Sequence, residues 1–113
     1  MLDSVTYRIG HWTFVPAAHE LRSGQQRVRV EQRASATLAL LCQRRGQVVS
    51  HDELIEHAWA GRQVSPNSVA VVIGGLRRAL DLAPGTAGAI ETVPKAGYRL
   101  IEEAAAKPVS RAR

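Results

Sequence analysis

The side chains that most often perform catalysis or hold metals are few in this chain of 113 residues, and their spacing suits neither task. The histidines are His11, His19, His51 and His57. The last two stand six residues apart and do not share a helix face, so they lack the spacing of metal ligands. The carboxylates of Asp52, Glu53 and Glu56 suit the solvated first turn of a capped helix better than an acid/base pair. We therefore expect no enzyme activity, no metal and no cofactor.

The single cysteine and the one pair of adjacent glycines give no better catalytic candidate. Cys42 stands in the apolar run LALLC, where a buried small side chain is more common than a reactive thiol. One cysteine excludes an internal disulfide and is compatible with a reducing compartment. Gly74-Gly75 would suit a phosphate-binding loop only after a strand and within the pattern G-x-x-x-x-G-K-[ST], and this sequence has neither.

The stretch SVAVVIGGLRRAL, residues 68–80, contains this glycine pair and has the composition of a strand and turn followed by helix formers. Val69, Ile73, Leu76 and Leu80 fall at i, i+4, i+7 and i+11. That spacing is the stripe of one helix face, whereas a strand pattern breaks at the glycines. We predict a helix over 66–81, with Ser65 as its N-cap and Pro66 at its first position. Its exposed side then carries Asn67, Val71, Gly74, Gly75 and Arg78.

The charge of the chain indicates what kind of partner this surface meets. The formal net charge is +5 at pH 7 and the sequence pI is about 10.3. This balance is typical of a protein that meets a polyanion such as nucleic acid or an anionic membrane surface, and a basic but solvated surface is the alternative. No signal-peptide segment or membrane-spanning apolar run is present. We expect a cytoplasmic protein with no small-molecule substrate, membrane-tethered only if a longer native chain continues past Arg113.

The remaining pattern predicts a single α+β domain over residues 1–103, followed by a flexible tail or linker over 104–113. Alternating apolar and polar residues from Tyr7 to Val30 predict three or four short antiparallel strands with a turn at 22–25. Helical spacing follows over 33–45, and the glycine after it predicts a helix stop with basic residues in the last turn.

The second half of the domain predicts two further helices and a hairpin. Ser50 and Glu53 have the spacing of a capping box, which predicts a second, short helix that ends at Gly61. The third helix is the one over 66–81. A loop then leads to a β-hairpin over 90–101, which turns through Pro94-Lys95-Ala96-Gly97 and has a basic tip.

Three strings, GQVVSHDELIEHAW, VSPNSVAVVIGGLRRAL and IETVPKAGYRL, resemble in order and spacing the OmpR/PhoB-type winged helix-turn-helix domain. The resemblance is greatest to the N-terminal domain of CadC-like and ToxR-like bacterial regulators. It implies sequence-specific binding of double-stranded DNA, with the helix over 66–81 in the major groove and the wing over 90–101 at the minor groove. It also implies transcription regulation and a head-to-tail homodimer on DNA. RNA polymerase is a further implied partner, through the loop residues Gly61, Arg62 and Gln63.

The residues expected on DNA divide by the part of the duplex they meet. The expected phosphate contacts are Arg77, Arg78 and Lys95, together with Ser65, Asn67 and Ser68 at the helix N-terminus. Asn67 also suits a base contact, and Val71 suits a thymine methyl group. Gly74 and Gly75 would let the helix backbone approach the groove closely. Arg99 matches, by the resemblance, the family arginine that enters the minor groove.

The reading surface departs from the family pattern. Where many relatives have arginine, histidine or glutamine, this chain has Val72, Gly74 and Gly75, so the usual bidentate base contacts do not carry over. We expect phosphate contacts and minor-groove shape to outweigh contacts to base edges. The alternative function is a winged-helix protein-protein interaction module without DNA binding, which the neutral helix face favours and the basic wing opposes.

Overall fold

The computed structural model describes residues 5–82 and 88–101. The expected tail over 104–113 and part of the expected loop over 81–89 lie outside the described residues. The helices are α1 (Gln32–Gln43), α2 (His51–Ala58) and α3 (Pro66–Leu80), with a short 3-10 helix at Pro16–Ala18. The strands are β1 (Tyr7–Ile9), β2 (Trp12–Val15), β3 (Glu20–Ser23), β4 (Gln26–Arg29), β5 (Val48–Ser50), β6 (Ile90–Val93) and β7 (Gly97–Leu100). The α+β class and the winged-helix element order are confirmed.

The N-terminal strands form an antiparallel sheet in the order β1-β2-β3-β4. Tyr7, Phe14, Leu21 and Val28 lie opposite one another across the four strands and face the core. Next to Phe14, the buried Trp12 donates a hydrogen bond from Nε1 to the backbone oxygen of Leu80, at 2.8 Å. This bond fixes the sheet against the end of α3.

The predicted first helix is present, but α1 runs from Gln32 to Gln43, so it begins one residue earlier and ends two residues earlier than expected. Arg44 leaves helical geometry, at φ −109° and ψ 32°, and its Nη2 donates to Glu53 at 2.8 Å. Arg45 donates from Nη2 to the backbone oxygen of Arg8 at 2.6 Å. The two arginines therefore serve contacts to other elements, which helical periodicity does not reveal. Within α1, burial raises the pKa of the Cys42 thiol to about 12, in agreement with a packing role.

The capping box at α2 is present as predicted. The amide of Glu53 donates to Ser50 Oγ at 3.1 Å, and the amide of Ser50 donates to Glu53 Oε1 at 3.0 Å. At the other end of α2, Gly61 has φ +76° and its amide reaches the Ile55 oxygen at 3.1 Å. A left-handed glycine closing the last turn is a common helix stop.

Strand β5 was not predicted, and it joins the hairpin in a second antiparallel sheet of order β5-β7-β6. Ser50 is both the last residue of β5 and the N-cap of α2, so the strand is too short for an alternating pattern. Gly97 lies opposite Ser50 with φ +154°, and a Cβ built there would stand 2.0 Å from the Val49 oxygen. The pairing of β5 with β7 therefore requires glycine at this position. Within the described ranges, no helix has the length and apolar character that crossing a membrane demands.

Candidate nucleic-acid interface

Helix α3 presents one buried and one exposed face, as its periodicity predicts. Val69, Ile73, Leu76 and Leu80 are buried in the core. Ser65 caps the helix, because its Oγ accepts from the Ser68 amide at 3.4 Å. The stretch that contains the glycine pair is thus helical throughout, which excludes both the strand and the phosphate loop.

The exposed face of α3 has few side-chain atoms near its middle, where Gly74 and Gly75 lie. Asn67 and Arg78 are exposed, and 61% of the Val71 surface is open to solvent. Gly74 and Gly75 are half-buried. A Cβ at Gly74 would stand 3.7 Å from Arg78 Nη1, and one at Gly75 3.9 Å from Arg78 Nη2. The guanidinium of Arg78 therefore lies beside both glycines and places a positive charge next to these uncharged residues.

The structure gives Arg77 a different position from its neighbour. Its Nη2 donates to the Ile90 oxygen and to Thr92 Oγ1, each at 2.8 Å, and its Nε donates to Ile90 at 3.2 Å. An arginine has donors on three nitrogens, so Nη1 remains for an outside anion. Arg77 links α3 to β6, a role that the sequence reasoning missed because nothing in the local pattern identifies a partner thirteen residues away.

The two basic residues of the hairpin also occupy different environments. Lys95 is exposed at the tip, in a left-handed conformation with φ +65°. Arg99 lies inside β7, directly opposite Glu91, and its Nε and Nη2 both donate to Glu91 Oε1, the Nε bond at 2.8 Å. Tyr98 is buried and packs edge-on against His51, with 5.5 Å between the ring centroids. Lys95 is therefore exposed at the turn of the hairpin, while Arg99 is held within the sheet.

The loop between α2 and α3 exposes Gly61, Arg62 and Gln63. It borders an open cleft whose walls include Trp59 and Arg33, and the Arg33 guanidinium lies 5.8 Å from the centroid of the buried Trp59 ring. In the described part of the chain, no group of three or more His, Cys, Asp or Glu residues could hold a metal ion.

Helices α2 and α3, the loop between them and the β6-β7 hairpin define a winged helix-turn-helix domain of the DNA-binding type. The chain belongs to the family described as "Transcriptional regulatory protein, C terminal", of OmpR/PhoB type, whose pattern matches residues 24–100.

Relatives of known function are about one-third identical to this chain over the aligned residues. It is 33% identical to the transcriptional activator CadC of Escherichia coli over 95 residues. The aligned region covers 83% of the chain and 19% of CadC. It is 32% identical over 95 residues to the cholera toxin transcriptional activator of Vibrio cholerae, covering 80% of the chain and 32% of that protein. The chain thus spans well under half the length of these relatives.

Solved structures of relatives share the fold. The DNA-binding domain of E. coli CadC superimposes with a TM-score of 0.77 at 31% identity, over 89% of this chain and 94% of that one. The Klebsiella pneumoniae RstA DNA-binding domain, solved in complex with the RstA box, gives a TM-score of 0.69 at 26% identity, over 85% and 96% of the two chains.

Proposed function

We propose that this domain binds double-stranded DNA sequence-specifically and regulates transcription, with α3 in the major groove and the β6-β7 wing at the minor groove. The observation that carries the proposal is the exposed face of α3. It is narrow at the glycine pair, has Asn67 at its N-terminal end and Arg78 at its C-terminal end, and belongs to a protein of net charge +5. A slender, positively charged helix face suits entry into a DNA groove.

The contacts follow from the chemistry of each exposed group. Arg78 and Lys95 bind phosphates, because both are exposed cations. Asn67 meets a base or a phosphate, and Val71 packs on a thymine methyl group. Ser65 and Ser68 are the weaker candidates of the first turn, because the Ser65 hydroxyl is already hydrogen-bonded to the hydroxyl and the backbone amide of Ser68.

Arg77 and Arg99 act mainly through neighbours. Arg77 uses Nε and Nη2 to fix the wing to α3, so of the two neighbouring arginines we assign the phosphate contact to Arg78. Arg99 must leave Glu91 to reach a minor groove, so we assign the wing's principal DNA contact to Lys95.

The wider biological setting is part of the same proposal. A regulator of chromosomal genes acts in the cytoplasm and needs no catalytic chemistry. Exposed Arg62 and its neighbours Gly61 and Gln63 form the surface for RNA polymerase, and two copies bind head to tail on repeated half-sites.

A protein-binding winged helix is the second candidate, because 61% of the Val71 surface is exposed on an otherwise small and neutral stretch. Such a module would use α3 as an apolar contact and would have no need of Arg78 or Lys95.

Selection of bound duplexes from a randomised library tests the proposal. We expect a recurring motif, and an affinity that falls steeply as salt rises, because each neutralised phosphate releases counterions. Asn67→Ala should relax the motif at one position, whereas Lys95→Gln should weaken binding to all sequences. Arg33→Gln, which removes an exposed charge beside Trp59, serves as the control. Recovery of no motif, with salt-insensitive binding, would overturn the proposal in favour of the protein-binding alternative.

A further inference from the structure

The outer face of the N-terminal sheet carries arginines that the proposed interface does not use. Strand pleating turns Leu21 toward the core and Arg22, Arg27 and Arg29 outward. Glu20 is the carboxylate opposite Arg29, and it already accepts from Arg22 Nε at 2.7 Å. That hydrogen bond, together with the nearby charges of the three arginines, lowers the pKa of Glu20. One carboxylate therefore faces three guanidinium groups, and the surface keeps an excess of positive charge.

Arg27 and Arg29 are the two arginines that β4 contributes to this face. Both side chains are exposed, and neither side chain forms a hydrogen bond or an ion pair with any residue in the described ranges 5–82 and 88–101. They lie on β4, the edge strand that follows β3 in the sheet order. Because alternate residues of a strand are about 7 Å apart, the two guanidinium groups are far enough apart to meet different phosphates of one DNA strand.

The edge strand borders the exposed face of α3. A groove of about 280 Å³ separates them, lined by Arg29, Val30 and Glu31 on one side and by Val71, Gly75 and Arg78 on the other. Arg29 and Arg78 therefore lie on opposite sides of the same groove. Glu31 repels phosphate from the groove, so an anionic chain that crosses it must lie over the arginines.

We propose that the DNA backbone, on leaving α3, passes over Arg29 and Arg27, so that the edge of the N-terminal sheet is a second phosphate-binding surface of this domain. The proposal rests on the DNA binding proposed above and adds a contact region outside the helix-turn-helix and the wing. These arginines contact phosphates only, and they add affinity and salt dependence without sequence preference.

The test compares two double variants of the 113-residue chain that lose equal charge. Arg27→Gln/Arg29→Gln removes the proposed contacts. Arg8→Gln/Arg33→Gln removes two exposed arginines from the opposite sheet edge and from α1. Binding to a fluorescein-labelled 30-base-pair duplex that carries the selected motif is measured by anisotropy across a salt series, and thermal unfolding confirms that both variants fold.

We expect the edge variant to reduce the slope of log affinity against log salt by about two, with the selected motif unchanged, because each lost phosphate contact removes about one unit. The control pair should retain the wild-type slope. Equal slopes for both variants and wild type overturn this inference while leaving the proposed function intact. So does a loss of self-association with no change in slope, since it would assign the edge to a second copy of the chain. Failure of the wild-type protein to bind the duplex overturns the proposed function itself.

Discussion

At the scale of single residues, Gly97 shows how closely the wing depends on one missing methyl group. A Cβ there would stand 2.0 Å from the Val49 oxygen and 2.9 Å from Ser50 Cα, and both are backbone atoms that cannot move aside cheaply. We expect Gly97→Ala to lower the free energy of unfolding by about 3 kcal/mol or more, measured by urea denaturation. Gly24→Ala is the control, since its φ of +59° is also left-handed but no atom lies within 4 Å of the added carbon. Equal losses in the two variants would show that φ alone, and not the contact with β5, is responsible.

Gly74 and Gly75 are different, because the fold accepts side chains at both. The added carbons would meet the guanidinium of Arg78 at ordinary contact distances of 3.7 and 3.9 Å. Since glycine in a helix costs about 1 kcal/mol relative to alanine, the double alanine variant should raise the free energy of unfolding by about 2 kcal/mol. We nevertheless expect its affinity for the selected duplex to fall about tenfold, because the methyl groups hold the helix backbone away from the groove. Urea denaturation and anisotropy measure the two effects. Tighter binding with the same motif would refute close backbone approach.

The same scale shows what sequence can and cannot reveal about the site. Residue type and helical spacing were enough to place Asn67, Val71 and Arg78 on the exposed side of α3. They could not separate Arg77 from Arg78, because only the folded chain brings the Ile90 oxygen and Thr92 to the former. Nor could they pair Arg99 with Glu91, which depends on the register of β6 against β7.

At the scale of elements, the start of α2 makes stability depend on pH. The pKa of Glu53 is lowered because its carboxylate accepts from the Ser50 amide and from Arg44. A carboxyl group whose pKa is lower in the folded than in the unfolded state stabilises the fold above its unfolded pKa, and this contribution is lost as pH falls through the folded value. We expect Glu53→Gln to lower Tm at pH 7 and to make Tm fall less between pH 5 and about 3 than it does in wild type. Calorimetry at several pH values measures this.

Glu56→Gln is the matched control, since it removes an exposed carboxylate from the same helix. Its acid-induced fall in Tm should follow that of wild type. If Glu53→Gln also follows wild type, the capping carboxylate contributes nothing to the pH dependence.

The elements also differ in how far local pattern determines them. Helix α3 was predictable because its buried stripe runs from Val69 to Leu80 with one period, and α2 because its capping box is a local signal. Strand β5 was not, since its three residues are stabilised by pairing with β7, about fifty residues further along the chain. The end of α1 was missed for the same reason, because Arg44 is held by Glu53 of the next helix.

At the scale of the whole molecule, DNA binding requires that the wing and α3 keep a fixed relation, and the neighbouring arginines divide this task. Arg77 bonds the backbone and side chain of β6, whereas Arg78 is exposed beside the glycine pair. We expect Arg77→Gln to lower both Tm and affinity. Without the hydrogen bonds from Arg77, the wing is less ordered in the free protein, and ordering it on DNA costs entropy. Arg78→Gln should lower affinity by about the value of one phosphate contact and leave Tm within about 2 °C of wild type.

The salt dependence distinguishes the two roles more sharply than affinity alone. A residue that binds phosphate changes the slope of log affinity against log salt by about one when it is removed, whereas a residue that only positions the wing leaves that slope nearly unchanged. Arg78→Gln should therefore reduce the slope and Arg77→Gln should not, at equal protein concentration and on the same duplex. Arg77→Lys should keep the charge but not the forked hydrogen bonds to Ile90 and Thr92, so its Tm should remain low. A slope reduced equally by Arg77→Gln and Arg78→Gln would show that both arginines bind the duplex directly.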